Sequence, residues 1–163
     1  EVTLPADSAE AGLLERTLLR LADQVARRLR GEGFVGRTVT VKLRDADFTT
    51  VTRQRALEAH TDDHRALFEA ARGLWRAHWR GRPVRLLGLS VSSLERRAEG
   101  PQTELFARDG REERLTEALD RLRDRLGEAA VVPAGSLTHR RPLGHVPFGA
   151  AARPAGEERD GGR

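Results

Sequence analysis

Apolar residues recur along this chain with two different periods, and the alternation between the two predicts the order of its elements. Leu14, Leu18, Leu21, Val25 and Leu29 step by three and four, the spacing of one helical face. That helix follows Pro5, with Asp7 or Ser8 as candidate caps and Gly31 or Gly33 as its end. Val39, Val41 and Leu43 then alternate with Thr38, Thr40, Lys42 and Arg44, the period of a strand with one buried face. After a short turn a second strand follows, in which Thr49, Val51, Arg53 and Arg55 share a face. Thr61, Asp62 and Asp63 offer an acidic cap for a second helix with inner stripe Leu67, Ala71, Leu74 and His78, stopped by Gly81. A further strand runs from Val84 to about Leu94, with Leu87, Leu89 and Val91 on one side and Gly88, Ser90 and Ser92 on the other.

With a short strand at Glu1 to Leu4, the order is β-α-β-β-α-β. This predicts the α+β class: a split, four-stranded sheet with two helices on one face, plus a C-terminal helical and disordered extension. The uncovered sheet face then carries Thr38, Thr40, Lys42, Arg44, Gly88, Ser90 and Ser92. It has no aromatic residue on which a base could stack, so contact with a nucleic-acid backbone fits it better than base reading.

Charge sharpens this. Residues 37–55 hold Arg37, Lys42, Arg44, Arg53 and Arg55 against Asp45 and Asp47, a local charge of +3. Over the 163 residues the formal charge is only +4, and 28 arginines stand beside the single lysine, Lys42. The arginine fork suits phosphate oxygens, but GC-rich coding explains the ratio equally well, so no function follows from it. Taken alone, the hairpin cations fit a solvated sheet face as well as a phosphate-binding one.

Beyond Leu94 the character changes. Residues 95–130 carry ten acids and eight arginines, a net of −2. A helix from about Glu112 to Leu126 aligns Leu115, Leu119, Leu122 and Leu126 in one stripe and needs a surface to lie on. From Pro133 the chain is rich in Pro, Gly and Arg, and the tail is expected to be disordered. The expected organisation is therefore a folded domain over 1–94, a linker over 95–111, an accessory helix and extended segment over 112–137, and a tail over 138–163.

The remaining candidates for chemistry are few. There is no cysteine, so disulfides and thiolate metal sites are excluded and a cytoplasmic setting is expected. No apolar run approaches the roughly 20 residues of a membrane span, and no export signal opens the chain. A membrane partner is not expected. Absence of methionine and an opening in what reads as the end of a strand suggest a piece of a longer protein. Asp45 and Asp47 suit turn geometry better than a metal pair. His60 and His64 are separated by the helix start, Trp75, His78 and Trp79 read as packing or edge residues, and His139 and His145 lack a third ligand. Neither a phosphate-binding glycine loop nor a nucleophile constellation is present.

Three blocks in order carry a resemblance: Gly36 to Arg44, Asp47 to Arg55 and Val84 to Leu94. Over Glu1 to about Leu94 the chain resembles the C-terminal little-finger domain of Y-family translesion DNA polymerases, in the DNA polymerase IV branch. In that family the domain lies across the primer-template duplex and touches its sugar-phosphate backbone. The resemblance implies Lys42, Arg44, Thr52, Arg53, Arg55, Ser90 and Ser92 as backbone contacts. Gln102-Thr-Glu-Leu-Phe106 is similar to the bacterial sliding-clamp-binding motif, which implies clamp contacts from Gln102, Leu105 and Phe106; Thr103 departs from the commoner leucine.

The expected function is thus that of a DNA-holding, clamp-tethered C-terminal region of an error-prone polymerase in damage bypass. Its partners are the primer-template duplex and the sliding clamp. The family's catalytic carboxylates lie in the palm, so this stretch is expected to be inactive alone and to hold no cofactor or metal, with magnesium implied for the parent polymerase. Two alternatives stand beside it: a catalytically inactive polymerase-like accessory protein, and a freestanding split-βαβ module that binds nucleic acid or protein.

Overall fold

A computed structural model of the chain describes residues 1–97 and 110–137. The expectations for Gln102, Leu105 and Phe106 and for the 138–163 tail lie outside the described residues. The elements are β1 (Val2–Ser8), α1 (Ala11–Gly31), β2 (Phe34–Asp45), β3 (Thr50–Thr61), α2 (His64–His78), β4 (Val84–Arg96), α3 (Gly110–Leu126) and a short 3-10 turn at Ala134–Ser136. The strands form one sheet in the order β1-β4-β2-β3, antiparallel at every junction.

β2 sits inside the sheet, and its alternation decides both faces. Val39 opposes Val91, Val41 opposes Leu89 and Leu43 opposes Leu87. Opposed residues in an antiparallel pair share a face, so these side chains form one apolar floor. Onto it α1 lays Leu14, Leu18, Leu21, Ala22, Ala26 and Leu29, and α2 lays Leu67, Ala70, Ala71 and Trp75. Truncating a fully buried leucine here, such as Leu14 or Leu67, would cost about 2–5 kcal/mol.

Several local expectations are corrected. β1 runs past Pro5 to Ser8, because an edge strand has no need of the proline N–H. α1 is therefore not capped by Asp7 or Ser8: Glu10 precedes its first turn without a side-chain cap, and Asp7 is held by Arg85 on β4. α2 does use an expected cap, with Asp63 Oδ2 accepting from the Ala66 N–H at 3.1 Å. It ends at His78, before Gly81, where the chain extends and the Trp79 ring stacks on Trp75 at 5.1 Å. The inner face of α2 also turns toward Trp75, which is buried, while His78 is half-buried and its Nδ1 lies 2.8 Å from the Leu74 carbonyl.

Most of the leucine stripe of α3 stays out of the body; Leu119 is half-buried at the edge of a cleft on the helical side. Leu115, Leu122 and Leu126 are exposed. α3 lies on α1 through charge instead: Arg123, 5 % exposed, binds Asp23 at 2.9 Å, and Asp120 receives two bonds from Arg30 at 2.7 and 3.1 Å. Asp124 and Glu128 bind Arg27. The cause is that α1 has committed its leucines to the sheet and leaves Asp23, Arg27 and Arg30 to face α3.

Two glycines test this packing. A Cβ on Gly36 would overlap Val91 Cγ1 and approach Leu94 Cδ2 to 2.9 Å, whereas one on Gly73 would meet nothing within 4 Å. Gly36→Ala is expected to lower stability by about 1–3 kcal/mol. Gly73→Ala, in the interior of α2, is expected to raise it by about 0.5–1 kcal/mol. Urea denaturation of both variants checks the pair of signs.

Candidate nucleic-acid interface

Strand register turns the polar positions into rows across the uncovered face. Lys42 lies between Gly88 on β4 and Thr52 on β3, and Thr40 lies between Ser90 and Gln54. Thr38 lies between Ser92 and Ala56, and Arg44 between Leu86 and Thr50. Among the sequence-predicted contacts, Lys42, Arg44, Thr52, Ser90 and Ser92 are thereby brought to one face. Ser90, Ser92 and Thr52 are exposed and the two cations are half-buried. The surface is shallow: hydroxyls and a glycine, with cations toward the end nearest the β2–β3 turn.

Arg53 and Arg55 are placed elsewhere. They oppose Val41 and Val39, so they project from the helix side of β3, with Val51 and the half-buried Leu57 in the same alternation. Both are exposed. The hairpin therefore presents one cation pair on each side of the sheet, with β3 as the open edge between them.

Lys42, Arg44 and Arg53 each have a local partner. Lys42 Nζ lies 3.0 Å from Glu1 Oε2, and this bond and charge lower the Glu1 pKa from its usual value. Arg44 Nε donates to Thr50 Oγ1 at 2.9 Å, and an Arg53 guanidinium nitrogen donates to the Thr52 carbonyl at 2.9 Å. The hydroxyls of Thr38 and Ser93 are 3.0 Å apart, with Ser93 at φ 56°.

The β2–β3 turn explains its two acids. Asp47 Oδ1 accepts from the Thr49 N–H at 2.9 Å and the Phe48 N–H donates to the Asp45 carbonyl at 3.0 Å. Asp47 closes the turn, and Arg82 lies within 4 Å of both carboxylates. Among the described residues no three His, Asp or Glu side chains converge as a metal would require. His60 faces Glu95 at 3.4 Å, while His64 neighbours Asp63 at the start of α2, where burial lowers its pKa.

Phe48 was missed by pattern reading. It stands at the turn with φ 66° and is 65 % exposed, with the Arg85 guanidinium 4.3 Å over its ring. Arg85 is in turn held by both Asp7 oxygens, at 2.9 and 2.7 Å. A phenylalanine inside an Asp-rich turn cannot reach the core, which was the available signal.

A cleft of about 250 Å³ on the helical side is lined by Asp23, Arg30, Asp62, Arg97, Leu119 and Arg123 among others. Two pairs of its charges are engaged, Arg97 with Asp62 and Arg123 with Asp23. It assembles no nucleophile with a base.

Residues 1–105 match the impB/mucB/samB family C-terminal domain. The chain belongs to the impB/mucB/samB family. Relatives of this family chain include DNA polymerase IV of Moorella thermoacetica, 42% identical over 139 residues, covering 85% of this chain and 34% of the relative. DNA polymerase IV of Pelotomaculum thermopropionicum is 37% identical over 140 residues, again 85% of this chain and 34% of the relative. The chain thus spans about a third of the length of these relatives. A solved complex of the β-clamp processivity factor and the little finger domain of PolIV aligns with 26% identity and a TM-score of 0.48, covering 63% of this chain and 93% of that one. The fold assignment itself rests on the strand order and helix placement above. Among the described residues no helix is long and apolar enough to cross a membrane.

The bond from Arg85 lowers the Asp7 pKa from 3.8, and that to Asp7 raises the pKa of Arg85. A carboxylate with a lowered folded pKa contributes stability above its unfolded value, and that contribution is lost as pH falls through the folded value. Carboxyl NMR titration is expected to place Asp7 below 3.8, and Arg85→Ala to return it toward that value.

Proposed function

We propose that this chain is the DNA-holding, clamp-tethered C-terminal region of a translesion DNA polymerase that acts in the cytoplasm on damaged template. The observation that carries the reading is the uncovered sheet face. Its rows offer hydroxyl and cationic donors, the groups that meet phosphate oxygens, and hold no ring that would read or stack a base. Membership of the impB/mucB/samB family and similarity to DNA polymerase IV relatives support it. Lys42, Arg44, Thr52, Ser90 and Ser92 then meet the duplex from the open face, and Arg53 and Arg55 meet it from around the β3 edge. Such contact holds a duplex of any sequence, damaged or intact.

Nucleotidyl transfer belongs to the parent polymerase, where bound magnesium would stabilise the transferring phosphate. The described residues do not fit a magnesium site, since no three His, Asp or Glu side chains are placed to hold a metal ion. Their part is to hold and orient the duplex. In the same reading Gln102, Leu105 and Phe106 tether the polymerase to the sliding clamp, the leucine and ring filling an apolar cleft and the glutamine meeting its rim.

Two outcomes test this. Each phosphate contact contributes about 0.9 to the logarithmic salt slope. Arg44→Ala is expected to lower the slope by about 0.9 and Arg53→Ala with Arg55→Ala by about 1.8, equally for duplexes of unrelated sequence, measured by fluorescence anisotropy. Unchanged slopes in all of these variants would overturn the backbone-contact reading. Leu105→Ala with Phe106→Ala is expected to abolish capture by purified, immobilised sliding clamp while duplex affinity stays constant; retained capture would remove the tether.

A further inference from the structure

The single lysine of the chain is already bound to an anion. Glu1 reaches across β4 to Lys42, carboxylate to ammonium at 3.0 Å. What lets it cross is Gly88. This glycine pairs with Lys42 and lies beside Glu1, and a Cβ built on it would stand 3.3 Å from the Cβ of each. A side chain at position 88 would therefore fill the space over the strand that the ion pair spans.

Around this notch the next positions are donors. Thr52 flanks Lys42 on β3, and Ser90 and Thr40 form the adjoining row. The site thus has a floor of glycine backbone, an ammonium at its wall, hydroxyls on its rim and a carboxylate seated in it. A phosphodiester oxygen carries the same charge and accepts the same hydrogen bonds as that carboxylate. The two side chains are 35 % and 55 % exposed, so their pairing is of the weak, solvent-screened kind that another anion can displace.

We propose that the notch over Gly88 is a subsite for one nucleic-acid phosphate and that Glu1 is its resident competitor. A backbone phosphate binds by taking Lys42 from Glu1, whose carboxylate returns to water; no covalent bond changes. The proposal rests on the backbone-contact reading and adds to it a particular position and an internal brake on affinity.

A double-mutant cycle tests it with the full chain and a 20-base-pair duplex. Glu1→Gln is expected to strengthen binding about two- to five-fold, the worth of an exposed pair, and to steepen the salt slope by up to about 0.9. With Lys42→Ala already in place, the same Glu1→Gln change is expected to give no gain. A general effect of removing one negative charge would persist in that background, so an equal gain in both overturns the proposal, as does no gain in either. Gly88→Ala, checked for folding by circular dichroism, is expected to weaken binding several-fold by narrowing the notch.

Titration with inorganic phosphate, followed by amide NMR, separates this outcome from failure of the wider reading. The backbone amides at positions 88 and 42 are expected to shift in the wild type, to shift at lower phosphate concentration in Glu1→Gln and to stay still in Lys42→Ala. If they move identically in all three, the subsite is wrong even where the duplex binds. If they move as expected while duplex affinity is insensitive to Arg44, Arg53 and Arg55, the subsite stands and the extended face does not.

Discussion

The strict alternation of β2 is the constraint on which the rest depends. As an interior strand it is bonded on both sides, so each residue from Thr38 to Arg44 fixes the facing of one neighbour on β3 and one on β4. Val39, Val41 and Leu43 must go inward to make a floor for α1 and α2, and this forces Thr38, Thr40, Lys42 and Arg44 outward. A slip of one residue would place the lysine in the core and the valines in water. The uncovered face and the hydrophobic core are therefore two readings of one register, and neither can be altered independently along this strand.

Element order was legible because each segment has its own period: leucines at three and four in α1, valines at two in β2. The facing of Arg53 and Arg55 was not, because period two fixes parity within a strand but says nothing of its offset against the next. Only the pairing of Val41 with Arg53 sets it. The capping of α1 failed for another reason. Asp7 has the right chemistry and position in sequence, but a long-range partner, Arg85, claims both its oxygens. Local signals cannot anticipate such competition. Phe48 was not legible because it stands in the turn, where alternation stops.

α3 shows how composition can mislead about docking. Its leucines suggest an apolar seat, yet the surface it meets is the polar back of a helix whose apolar face is already spent on the sheet. Arg123, Asp120 and Asp124 therefore make the contact with Asp23, Arg30 and Arg27. Nearly buried pairs such as Arg123 with Asp23 lock geometry more than they add net stability, so the helix is held in register chiefly by charge.

Among the described residues β3 has a neighbour on one side only, and its twelve residues leave a line of main-chain N–H and C=O groups facing outward in the plane of the sheet. Lys42 and Arg44 stand above that line and Arg53 and Arg55 below it. The outward amides are donors in their own right, supplied by the peptide chain and insensitive to residue identity. Side-chain substitution along this edge can strip charge from it, but only proline removes a donor. Nearly every residue of β3 could therefore vary without erasing this row of main-chain donors.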